Sequence, residues 1–79
     1  MMKVKLNLSN RERRLLQNII IDFDPEREYT ISEWLVILEA VYAEEIFYAQ
    51  TADEKSTARD RAEDYASLAN LIYSQIPDE

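Results

Sequence analysis

Val4, Leu6 and Leu8 alternate with Lys3, Lys5 and Asn7, the period-two pattern of a half-buried extended segment. A lone strand makes no sheet, so this arm over residues 1–9 must pair with a partner chain or lie across helices. From Leu15 the period changes. Leu15, Leu16, Ile19, Ile20 and Phe23 recur at helical spacing behind Ser9-Asn10-Arg11-Glu12, a capping box in which a hydroxyl and a carboxylate satisfy free amides. The spacing predicts a first helix over residues 10–23. It ends at Asp24, because Pro25 disfavours helical geometry in the residue before it.

A second capping box, Thr30-Ile31-Ser32-Glu33, opens a helix predicted over residues 31–50, with Tyr29 and Trp34 at the spacing of a hydrophobic staple. This helix is apolar nearly all round. Ile31, Leu35, Leu38, Tyr42, Ile46 and Ala49 form one stripe, Trp34, Ile37, Val41 and Tyr48 a second, and Val36 with Phe47 a third patch. A surface helix needs only one such face. Thr51-Ala52-Asp53-Glu54 resembles a third box, and a third helix is predicted over residues 52–76. Its seam of Ala58, Ala62, Tyr65, Ala69, Ile72 and Ile76 is rich in the small residue that lets helices approach closely. With no Gly or Pro between them, the second and third helices form either a hairpin or one rod. The expected fold is all-α: a single domain, a three-helix bundle or hairpin with a short N-terminal extended arm.

Composition narrows the chemistry. The 79 residues include no Gly, no His and no Cys. Ordinary zinc sites, thiolate nucleophiles, Ser-His-Asp relays and glycine-rich phosphate loops are thereby excluded. Carboxylates remain. Glu44 and Glu45 with Asp60, Glu63 and Asp64 are the acids that adjacent helices could gather around Mg²⁺. All-helical nucleotide pyrophosphatases do this with a Glu-Glu-x-x-Glu element, but Tyr48 stands here in place of its third acid. The expectation is therefore no enzyme, no metal, no cofactor and no small-molecule substrate. No apolar run reaches the roughly 20 residues that span a bilayer, and the opening residues lack a signal-peptide pattern, so a cytoplasmic protein without membrane contact is expected.

The net charge of −7 is unevenly placed. Residues 1–14 hold five bases and one acid, whereas residues 15–79 hold four bases and fifteen acids. Lys3, Lys5 and Asn7 project from one side of the arm, and Arg11, Arg13 and Arg14 follow on the first helix. Residues 3–48, as strand, capped helix, turn and helix, resemble the ribbon-helix-helix DNA-binding family. That resemblance implies a dimeric repressor whose paired strands enter the major groove. Lys3, Lys5 and Asn7 would then face the bases, with Arg11, Arg13 and Arg14 near the phosphates.

Two other readings rest on the rest of the chain. Asp53, Asp60, Glu63 and Asp64 lie on the polar side of the third helix and suit a nucleic-acid mimic that blocks a DNA-binding protein. The aromatics support the preferred reading. Trp34, Phe47 and Tyr48 cannot all face one core from a regular helix, so together with Ile37 and Val41 they are candidate interface residues. The chain is accordingly expected to be a small acidic regulator or inhibitor, of the kind phages and mobile elements carry. It would bind a protein partner through helical contacts, itself included as a homodimer.

Overall fold

Both expected N-terminal caps close in the same way. The Ser9 hydroxyl accepts from the Glu12 amide at 3.3 Å, while the Glu12 carboxylate accepts from the Ser9 amide at 2.8 Å. Thr30 and Glu33 repeat the exchange at 3.2 and 2.9 Å. The computed structural model describes residues 3–51 and 56–77. In chain order they form β1 (Lys3–Val4), α1 (Asn10–Ile19), β2 (Tyr29–Thr30), α2 (Ile31–Gln50) and α3 (Ser56–Gln75). The fold is all-α, three helices preceded by a short extended arm. The predicted start of the third helix at residue 52, and its Thr51–Glu54 capping box, fall at least partly outside the described residues.

α1 stops four residues before its predicted end at Phe23. Ile20 leaves the helix at φ −119° and ψ 107°, although its amide still donates to the Leu16 carbonyl at 2.8 Å. The cause lies across the molecule. Phe23 is drawn inward to stack on Tyr29, with ring centroids 5.6 Å apart and planes 10° from parallel. Tyr29 in turn meets Trp34 edge-on at 5.3 Å. Burial of this three-ring cluster favours the inward position of Phe23. Ile21 is the casualty, 98% exposed. The Tyr29 hydroxyl accepts from the Asp24 amide at 2.9 Å, which fixes the loop over the cluster.

The arm pairs within its own chain and needs no second one. β1 and β2 are antiparallel, Lys3 opposite Thr30 and Val4 opposite Tyr29. The Trp34 indole N–H donates to the Val4 carbonyl at 2.9 Å. Further along, the Asn7 amide donates to Gln75 Oε1 at 2.7 Å and the Asn7 carbonyl accepts from Gln75 Nε2 at 3.1 Å. Leu6, between these clamps, and Leu8, just past the second, are buried, so the alternation seen in the sequence does lay an apolar edge across the helices.

α2 and α3 form a hairpin and not a rod. α2 buries Trp34, Ile37, Leu38 and Val41. α3 answers with Ala58, Tyr65, Leu68, Ala69 and Ile72. Leu68 was absent from the predicted seam and is almost fully buried, whereas Ala62 and Ile76 are only half-buried. Tyr48 stacks on Tyr65 with centroids 5.8 Å apart, joining the two helices near the turn. α1 contributes one buried side chain, Leu16, and half-buried Leu15 and Ile19. Among the described residues the buried side chains are all aliphatic or aromatic.

Candidate functional site

A helix with 3.6 residues per turn can turn only part of its circumference toward the core. α2 turns the stripe of Trp34, Ile37 and Val41 inward, which leaves much of its apolar surface outside. Val36 is 66% exposed, Ile46 and Phe47 56% each, Leu35 46% and Tyr42 40%. At 100° per residue these fall on one broad outer face. Leu35, Tyr42 and Ile46 form its one strip; Val36, Ala43 and Phe47 form the other. Glu39, also exposed, lies between them. The Phe47 ring rests edge-on against Tyr48 at 5.1 Å, so it stands out from the surface with its orientation held. Scattered exposed apolar residues are ordinary, but five large ones on one helix are a contiguous patch.

Of the five predicted interface residues, Phe47 alone is exposed. Trp34, Ile37 and Val41 are core residues, because the staple from Tyr29 pulls Trp34 inward and helical spacing carries the other two with it. Tyr48 is half-buried under the Arg61 guanidinium, 5.6 Å from its ring centroid. Leu35, Val36, Tyr42 and Ile46 were visible in the sequence as stripes but were not assigned to the surface. The Tyr29–Trp34 spacing was the signal that could have decided which stripe faces outward.

Three of the basic residues near the N-terminus are tied to acids of the same chain. Lys5 and Arg13 both approach Glu26, at 4.0 and 3.9 Å, and Arg11 pairs with Asp64. Lys3, Asn7 and Arg14 are exposed. Exposed pairs of this kind contribute at most about 1 kcal/mol each. The Arg11 pair removes Asp64 from the expected acidic face and turns it toward α1. Asp60 and Glu63 are exposed on α3, and Asp53 lies outside the described residues. Among the described residues no group of three or more acids is placed to hold a metal ion, and no helix is long and apolar enough to cross a membrane.

Beside the outer face, an open cavity of about 260 Å³ is lined by Ile20, Phe23, Tyr29, Val36 and Ile37, with Asp22, Arg27 and Glu33 completing its wall. The Thr30 backbone amide holds the Glu33 carboxyl below the usual carboxylate range, and Arg27, 3.5 Å away, acts in the same direction. A lowered carboxyl stabilises the fold above its unfolded value, and that contribution is lost as pH falls through the folded value. Glu33→Gln is therefore expected to lower the melting temperature at neutral pH, with the gap from wild type closing in acid. A gap that stays constant across a pH series would refute this assignment. Burial pushes the Tyr65 phenol up, with Tyr48 and Glu44 adding to the effect, so the hydroxyl stays protonated at neutral pH.

No family model matches the chain, and no match was found among curated proteins or solved structures.

Proposed function

We propose that this chain is a non-enzymatic binding module, a small regulator or inhibitor that docks on a protein partner through the outer face of α2. One observation carries the reading: Leu35, Val36, Tyr42, Ile46 and Phe47 stay 40–66% exposed on one helix of a molecule whose core is already closed. Covering each of these partly exposed side chains would contribute on the order of 1 kcal/mol. Aromatic anchors at such a patch are what interfaces use for most of their affinity.

The test places a photo-crosslinking residue at position 47 of the full chain, expressed in its source cells. A matched control carries the same residue at Asp60, exposed on α3. A discrete adduct is expected at position 47 and none at position 60, and Val36→Asp in the same chain should abolish it. Circular dichroism should show unchanged helicity, since neither Val36 nor Phe47 belongs to the core. Equal labelling at both positions, or none at position 47, rules the docking face out.

A further inference from the structure

The apolar face of α2 is interrupted near its middle by one charge. Glu39 is exposed between the Leu35–Tyr42–Ile46 strip and the Val36–Ala43–Phe47 strip, so a partner lying on this face covers it. Glu33, Glu44 and Glu45 are the other charged residues of α2, which contains no Lys or Arg at all. This composition decides between occupants.

Consider a second copy laid antiparallel on the first. The midpoint of α2 falls between Ala40 and Val41, so the two Glu39 positions would sit roughly 5 Å apart along the axis at 1.5 Å per residue. Neither copy of α2 offers a base to meet them. A parallel pair is no better, because it sets the two at the same level. Covering an unpaired carboxylate is costly, and covering two side by side adds repulsion. A helix that brings its own cation removes both penalties.

On the reading of this face as a docking surface, we infer that its occupant is a cationic amphipathic helix of another protein. That helix sets a Lys or Arg against Glu39, and Glu39 prevents copies of this chain from pairing through α2. The face thus selects its partner by charge and excludes itself by the same residue.

Two measurements on the full chain test this. By light scattering across a concentration series, the wild type is expected to be monomeric, and Glu39→Leu, which completes the apolar surface, to dimerise. The second uses two synthetic amphipathic helical peptides with the same leucine face, one flanked by lysines and the other by glutamates, titrated into isotope-labelled protein and followed by NMR. The lysine peptide is expected to shift the outer residues of α2. Glu39→Lys should weaken it at least about tenfold and admit the glutamate peptide. A wild-type dimer through α2, no binding of the lysine peptide, or affinity indifferent to Glu39→Lys overturns the inference. Phe47→Asp separates the two levels. If it abolishes peptide binding while Glu39→Lys does nothing, the docking face stands without its charge rule; if it too does nothing, both fall.

Discussion

Trp34→Ala is expected to unfold most of the population at ordinary temperature, with loss of far-ultraviolet helicity. Trp34 is 2% exposed and closes the three-ring cluster with Phe23 and Tyr29. Removing so large a buried side chain costs about 3–5 kcal/mol through lost transfer energy and the cavity left behind. The indole N–H also satisfies the Val4 carbonyl, so the substitution loosens the arm as well. A domain of this length has a total stability of roughly 5 kcal/mol. The measurement is a thermal and urea melt followed by circular dichroism, with Trp34→Phe beside it. The phenylalanine variant keeps most of the ring packing and loses the hydrogen bond, so it should fall between wild type and alanine. A cooperative transition for Trp34→Ala within about 1 kcal/mol of wild type would mean that the ring cluster does not hold the fold together.

The second large effect is expected on α1. Leu16 is fully buried, the single side chain that this helix sends to the centre of the core, while its neighbour Leu15 is only half-buried. Leu16→Ala should cost about 2–5 kcal/mol and Leu15→Ala distinctly less. α1 shares few residues with the hairpin, so its backbone amides are expected to lose protection against hydrogen exchange before those of α2 and α3. Equal costs at the two leucines would place the helix in a different rotation about its axis.

How much of this was legible beforehand depends on whether the deciding interaction is local. α2 was predicted over residues 31–50 and spans Ile31–Gln50, because Thr30 and Glu33 write its start within four residues. The cap at Ser9 was equally readable, as was the apolar edge of Leu6 and Leu8. The end of α1 was not. Phe23 keeps helical spacing with Leu16 and Ile19, and only the rings of Tyr29 and Trp34, brought in from outside the helix, pull it out of register. The partner of β1 was invisible for a related reason, since Tyr29–Thr30 is too short to display a period. Which stripe of α2 faces inward was a choice between patterns of similar quality. Periodicity supplied the candidates, and the ring cluster selected among them. Leu68 lies one residue from Ala69, beside the seam of Ala58, Ala62, Tyr65, Ala69, Ile72 and Ile76, so the seam's spacing does not reveal it.

The exchange of hydrogen bonds between Asn7 and Gln75 spans 68 residues. Until the last turn of α3 has left the ribosome, the arm has nothing at that end to fasten to. The cover over Leu6 and Leu8 at that end is therefore completed only once α3 is in place, and before then a chaperone would have most to shield.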